Sequence, residues 1–318
     1  MRFYYSLLGL LLISLIPSCQ EEEAKDELQS KQFICTWGDS LTAGGGGDGT
    51  TYPNVLDSLL GNNYQVINCG IGGEQTLTIA ARQGGIPMLL AHPVELPADN
   101  SKIIIGDKSH SLISSWNNRS VVTPLLQGGE STVNNCIINE IECILGWTGK
   151  AWNDPDGRYT IQRVVAADTP VTLRERSIVF TSSMQRYRNL FANVFFIGQN
   201  LGYANNADLV SQYKAMIRFS GSNNFVILGL TSGTKAERTD LETLMTKEFG
   251  AQYINLRDYL STQGLQDASL TPTPADIEAM AEGKTPPSLL YDHVHFNAKG
   301  YELIGQIIYK RFLYLGII

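Results

Sequence analysis

Residues 33–38 read FICTWG, and residues 193–198 read NVFFIG. Each is a short apolar run that ends in glycine, and each leads through a loop into a helical pattern. Residues 64–70 (YQVINCG), 225–231 (FVILGLT) and 253–256 (YINL) repeat the theme. Helical spacing of apolar residues falls at Tyr52–Leu60, Glu74–Arg82, and about 206–219, 237–249 and 298–313. Strands that alternate with helices are joined by right-handed crossovers, and such crossovers build a parallel sheet.

Five strands with helices on both faces predict an α/β fold, a three-layer αβα, flavodoxin-like doubly wound sheet. The alternation stops for about a hundred residues after Gly84. The pieces there are short and β-like: KIII, SVV, NNCII, ECILGW, YTIQRVV and VTLRERSIVF. Turn signals such as GD, NN, GG and DPDG separate them. Residues 84–189 are therefore expected to be an inserted β-rich module, which splits the α/β domain into 33–83 plus 190–318. Residues 270–288, with TPTP and TPPS, read as an irregular connection with one short helix. The one low-complexity tract is GGGGDG at 44–49.

Composition bounds the function classes. The 318 residues are 43% hydrophobic and 17% charged, which excludes a disordered, collagen-like or coiled-coil chain. The formal net charge of −7 argues against non-specific nucleic-acid binding, which needs a basic footprint. At the N-terminus, Arg2 precedes an apolar stretch, FYYSLLGLLLISLI, at 3–16. It is short of the roughly 20 residues of a spanning helix, and residues 1–18 read as a signal peptide. Ile16-Pro17-Ser18-Cys19 resembles a bacterial lipobox, which implies lipidation of Cys19 and a membrane contact through that anchor alone. Residues 19–32 read as an acidic tether. The run Gln20-Glu21-Glu22-Glu23-Ala24-Lys25-Asp26-Glu27 resembles the export signals of surface-exposed lipoproteins in Gram-negative bacteria. An exported, outer-membrane, surface-exposed lipoprotein is the expectation. Export permits disulfides. Cys35 and Cys69 lie in runs that read as neighbouring strands, so buried thiols are expected there. Cys136 and Cys143 could bridge a hairpin, and no CxxC metal pair is present.

Ligands of doubly wound sheets bind at the carboxyl ends of the strands. After the first strand comes Gly38-Asp39-Ser40-Leu41, and after the second Asn68-Cys69-Gly70-Ile71-Gly72-Gly73-Glu74. After the third comes Gly198-Gln199-Asn200, and before the last helix Asp292-His293-Val294-His295. By itself Asp39-Ser40 also fits a helix-capping turn. The set of four, in this order, resembles the SGNH hydrolases, or GDSL esterases, over about residues 33–75 and 190–315. The resemblance implies Ser40 as nucleophile, His295 as base and later acid, and Asp292 as the group that orients the imidazole. It implies an oxyanion hole from the backbone N–H of Ser40, the backbone N–H of Gly73 and the side-chain amide of Asn200. Gly72 competes with Gly73 for that role, and His293 with His295; the family's D-x-x-H spacing selects His295. Leu201 stands where the family often has Asp. His293 and His295 lack a third ligand in the sequence, so no metal is expected, and the resemblance implies no cofactor.

The implied reaction is hydrolysis of a short acyl ester, O-acetyl in the first instance, on a small molecule or a glycan, through an acyl-enzyme. Alternatives are a lipase or thioesterase with a long acyl pocket, and a non-catalytic glycan-binding lipoprotein. The sequence carries no signal for an oligomeric state. Trp37 is expected to pack under the Gly38–Leu41 loop. Trp116, Trp147 and Trp152 read as core residues or as sugar-stacking platforms. Arg82 and Gln83 read as surface residues that border the cleft at most. Tyr301, Tyr309, Phe312 and Tyr314 read as a packing stripe on the last helix.

Overall fold

Alternation of side chains decides the layers. In the computed structural model, which describes residues 31–117, 133–151 and 154–318, strand β1 (Gln32–Gly38) is buried from Ile34 onward. Its neighbours are β2 (Tyr64–Gly70) on one side and β12 (Ala192–Phe196) on the other, both parallel to it. β13 (Phe225–Leu228) and β14 (Tyr253–Ile254) continue the sheet, again parallel, in the order β14-β13-β12-β1-β2. Numbered by occurrence within the sheet, that order is 2-1-3-4-5. Ile34, Ala192, Val194, Phe196, Val226 and Leu228 point to one face. Cys35, Trp37, Phe195, Phe225 and Ile227 point to the other. This period of two is what a strand buried on both faces requires.

Helices cover both faces. After α1 (Ser40–Ala43), helix α2 (Tyr52–Leu60) packs Tyr52 and Leu56 on the first face. On the second face lie α3 (Thr76–Gln83), α5 (Asn206–Ser220) and α6 (Lys235–Phe249), through Ile79, Ala80, Tyr213, Met216 and Met245. Between α3 and α5 comes α4 (Ser182–Arg186). After β14 the chain runs through α7 (Leu256–Tyr259), a π turn (Leu260–Gly264), α8 (Leu265–Asp267) and α9 (Pro274–Ala281). Helix α10 (Ala298–Tyr314) closes the first face with Tyr301, Ile304, Ile308 and Phe312. Tyr314 departs from the expected stripe: it is exposed, with the Arg311 guanidinium over its ring.

Among the described residues, nine short strands lie between α3 and β12. β7 (Val133–Ile138), β8 (Ile141–Trp147), β9 (Tyr159–Arg163), β5 (Ile103–Gly106) and β11 (Phe180–Thr181) form an antiparallel sheet in the order β11-β7-β8-β9-β5. β3 (Met88–Leu90) pairs with β6 (Leu112–Ser114), and β4 (Val94–Leu96) with β10 (Val171–Leu173). β3, β4 and β6 are three residues long, too short to show a period in the sequence. All of this belongs to the same compact unit, Gln32–Ile318, as the parallel sheet. The buried core of these strands includes Ala81 of α3. Helix α3 is thus wedged between two cores, and this corrects the expected placement of Arg82 and Gln83: both are buried, each 2% exposed. Residues 1–30 with Cys19, the SVV run at 120–122, and Trp152 lie outside the described residues.

The four cysteines among the described residues are free and buried. Cys35 Sγ donates to Cys69 Sγ at 3.0 Å, and burial pushes the Cys35 thiol up. Cys136 and Cys143 face each other across the β7–β8 hairpin.

Candidate active site

Ser40 opens α1 at the carboxyl end of β1. Asp39 caps that helix, its Oδ1 accepting from the Leu41 N–H at 3.0 Å, so the turn is both a cap and a presentation of Ser40. Ser40 itself is half-buried. The Ile71 N–H donates to the Gly38 carbonyl at 3.1 Å, which brings the loop after β2 beside the loop after β1.

His295 and Asp292 arrive on the loop between α9 and α10. A bridge between Leu290 and Phe296 and a 2.8 Å bond from the Tyr291 N–H to the His295 carbonyl close this loop. At its base Asn297 caps α10, and its side-chain amide donates to the carbonyls of Ser288 and Leu290. Within the loop, Asp292 Oδ1 accepts from the N–H groups of Val294 and His295 at 2.8 and 2.7 Å. Asp292 Oδ2 faces His295 Nδ1 at 2.8 Å, and His295 Nε2 faces Ser40 Oγ at 2.9 Å. The bonds from His295, from its ring first and its backbone N–H second, hold the Asp292 carboxyl well below the usual carboxylate range. An ionised Asp292 fixes the proton on Nδ1 and leaves Nε2 to accept from the serine hydroxyl. His293 is exposed and has no part in this chain of bonds.

Asn200 follows β12, the strand next to β1. Its Nδ2 donates to the Glu74 carbonyl at 3.1 Å and to Asp39 Oδ2 at 3.3 Å. Both acceptors require the nitrogen on this side, which decides the amide orientation. Gly73 has φ 77 in a turn closed by the Glu74 N–H on the Ile71 carbonyl, a conformation that favours glycine. Gly72 also faces Ser40: a Cβ added there would lie 3.9 Å from the Ser40 Cβ. Sequence order, strand ends and loop geometry therefore bring Ser40, Gly72-Gly73, Asn200, Asp292 and His295 to one edge of the sheet.

Three features of this edge escaped the sequence. The run read as low complexity is one. Gly45 passes under the His295 ring, where a Cβ would meet His295 Cδ2 at 2.8 Å and Nε2 at 3.2 Å, and the Tyr301 hydroxyl donates to the Gly45 carbonyl at 2.7 Å. A second is Asp39, whose carboxyl is buried, 1% exposed. Burial raises it from 3.8 to about 7, against the lowering bond from Leu41 and with a further rise from Glu74. The third is the buried pair of Glu74 with Arg82, at 2.7 Å. Burial pushes the Glu74 carboxyl up, and Arg82 pulls it back only in part. The signal for this pair was a Glu and an Arg eight residues apart around the uncharged run TLTIAA, which is half-legible at best.

Trp37 is a core residue on the second face of the sheet, 1% exposed, with its Nε1 donating to Asn193 Oδ1 at 3.1 Å. Trp147 is a core residue, and Trp116 is 44% exposed with Nε1 donating to Asp208. Among the described residues no group of three His, Cys, Asp or Glu side chains is placed to hold a metal ion, and no helix is long and apolar enough to cross a membrane.

No family model matches the chain, and no curated protein matches it. Two solved structures align with 90% of this chain and with 99% and 98% of their own lengths, at 11% and 14% identity and TM-scores of 0.42 and 0.41. A likeness at that level carries no argument about fold or chemistry.

Proposed function

We propose that this chain is a serine esterase of the SGNH type, on a flavodoxin-like sheet with residues 84–189 inserted, and that it hydrolyses short acyl esters through an acyl-enzyme. The observation that carries the reading is the unbroken chain Asp292–His295–Ser40, with bonds of 2.8 and 2.9 Å. A serine hydroxyl is a weak nucleophile without such a base. Supporting it is the position: Ser40 and Asn200 lie just past the carboxyl ends of adjacent strands at the point where the strand order reverses, the usual ligand site of such sheets.

Ser40 Oγ attacks the ester carbonyl carbon, and its proton passes to His295 Nε2. The carbonyl oxygen becomes an oxyanion facing the N–H groups of Ser40 and Gly73 and the amide of Asn200. Asn200 reaches it by giving up the longer of its two bonds, the one to Asp39. The tetrahedral intermediate collapses, the alcohol leaves with the proton from His295, and Ser40 keeps the acyl group. Water, deprotonated by His295, then attacks the acyl carbon; the bond to Ser40 Oγ breaks, that oxygen takes the proton back from His295, and the acid leaves. One oxyanion donor is worth about 2.7–4 kcal/mol in the transition state. The chemistry draws on side chains and backbone alone.

A glycan O-acetyl ester is the favoured substrate, displayed to an exported domain anchored at Cys19. The test is hydrolysis of p-nitrophenyl acetate, butyrate and octanoate by the chain from residue 20 onward, beside Ser40→Ala. Turnover that falls with chain length and vanishes in Ser40→Ala is the expected result. Rising turnover toward octanoate would replace the short-acyl reading with a lipase or thioesterase. No Ser40-dependent turnover on any of the three, together with no Ser40 labelling by a fluorophosphonate, would overturn the esterase reading.

A further inference from the structure

Glu74 and Arg82 are fully buried charges that no step of hydrolysis uses. Arg82 grips the carboxylate with two bonds, Nε to Oε1 at 3.2 Å and Nη2 to Oε2 at 2.7 Å. Nη2 also donates to the Cys69 carbonyl at 2.7 Å, near the end of β2. The guanidinium lies over the Trp37 ring, 5.5 Å from its centroid, near the end of β1. The Arg82 carbonyl accepts from Thr181 Oγ1 at 2.7 Å, which ties the helix to β11. On the other side of the pair, the Glu74 backbone carbonyl accepts from Asn200, just past the end of β12. One guanidinium and one glutamate thus connect the ends of three adjacent strands, and Glu74 is itself the last residue of the Ile71–Glu74 turn.

Stability does not account for this arrangement. Desolvating two charges costs as much as their attraction returns, and apolar replacements of such pairs are often no less stable. What a bidentate, stacked guanidinium supplies and an apolar pair lacks is a fixed geometry. Oxyanion stabilisation is the part of ester hydrolysis most sensitive to fixed geometry, because its donors must wait where charge will develop.

We propose that Glu74 and Arg82 are positioning residues, which hold the Gly72-Gly73 turn and the Asn200 amide in register as oxyanion donors for Ser40. This rests on the esterase reading above. Arg82 holds the turn through the Glu74 carboxylate, and Glu74 holds Asn200 through its carbonyl. Neither side chain touches substrate.

The experiment compares the intact chain from residue 20 with Arg82→Lys and with the paired change Glu74→Met and Arg82→Met. Turnover of p-nitrophenyl acetate is counted per Ser40 titrated with a p-nitrophenyl phosphonate, beside KM and the thermal midpoint. Arg82→Lys keeps the charge but loses the fork and the stacking. The paired change removes both charges and leaves none unpaired. Expected are a kcat at least tenfold lower in both, KM within threefold of wild type, and a midpoint near wild type in the paired variant. Stability restored without activity restored is a result that a merely structural pair cannot produce. A kcat within twofold of wild type in either folded variant overturns the proposal. Absence of Ser40-dependent turnover in the wild type overturns the esterase reading instead, and the positioning role with it.

Discussion

Nε2 of His295 lies 2.9 Å from Oγ of Ser40, across 255 residues of chain. Ser40 is set by the capped turn after β1, and His295 by the bridge and the Asn297 bonds that close its loop. The two meet because α10, which follows the histidine, packs on α2 and on the sheet face beneath α1. The contact is therefore a property of the folded core, and changes at a distance from either residue should reach it.

Asp292→Asn tests the orienting role directly. The amide keeps an oxygen for the Val294 and His295 N–H groups, so the loop stays closed. Its NH2 then faces His295 Nδ1 and stabilises the tautomer with a proton on Nε2, which cannot accept from Ser40. The expected fall in kcat is about 10⁴-fold, the size of the effect of the corresponding change in a Ser-His-Asp triad. Steady-state kinetics on p-nitrophenyl acetate, with unfolding followed alongside, checks it; an active variant would remove Asp292 from the mechanism.

Gly45→Ala separates activity from stability. The new methyl collides with the edge of the His295 ring, which can rotate away at little cost to the fold. A ring displaced by even 1 Å costs roughly 10²-fold in rate. The expected variant melts within a few degrees of wild type and turns over slowly. Gly49→Ala gives the opposite split: its added Cβ meets nothing within 4 Å but its φ is +85, so backbone strain should lower stability there and leave turnover near wild type.

Asp39 should make the protein less stable as pH rises. Its carboxyl is held at about 7, above the ordinary 3.8. Between those values the native state keeps a proton that the unfolded chain has lost. That contribution is complete below pH 3.8 and disappears as pH passes 7. Asp39→Asn has no such titration, so its stability relative to wild type should be more favourable at pH 8 than at pH 5. Urea unfolding at the two pH values reads the difference. An unchanged gap would place the Asp39 carboxyl in its ordinary range.

Asp276 anchors the Asp292–His295 loop from outside it. It is fully buried and accepts from the backbone and hydroxyl of both Thr273 and Ser288 at 2.7–2.9 Å. Burial pushes its carboxyl up, yet these bonds outweigh burial and bring it down to about 2. Its contribution is therefore present above pH 3.8 and lost as pH falls toward 2, opposite in sign to that of Asp39. Asp276→Ala leaves four donors without their acceptor and should cost about 2–4 kcal/mol. Denaturant midpoints at pH 7 measure it, and a loss under about 0.5 kcal/mol would mean water replaces the carboxylate.

Local pattern carried much of this molecule. The apolar period predicts α2 at Tyr52–Leu60 and β2 at Tyr64–Gly70 with the bounds that the structure has. It places five parallel strands, and it puts Ser40, Asn200, Asp292 and His295 at strand ends or helix starts, because a side-chain period reports on an element's own surroundings. Tertiary structure alone decided the rest. The strand order, the 2.9 Å contact of Ser40 with His295 and the pairing of β3 with β6 are contacts between segments that no local period relates. Arg82 reads as a surface arginine at the end of an amphipathic helix. It is buried because a second core closes over α3 from the other side, and a charge enclosed in this way must find its partner, here Glu74. Gly45 reads as one glycine among four; only the imidazole lying against it gives that missing side chain a function.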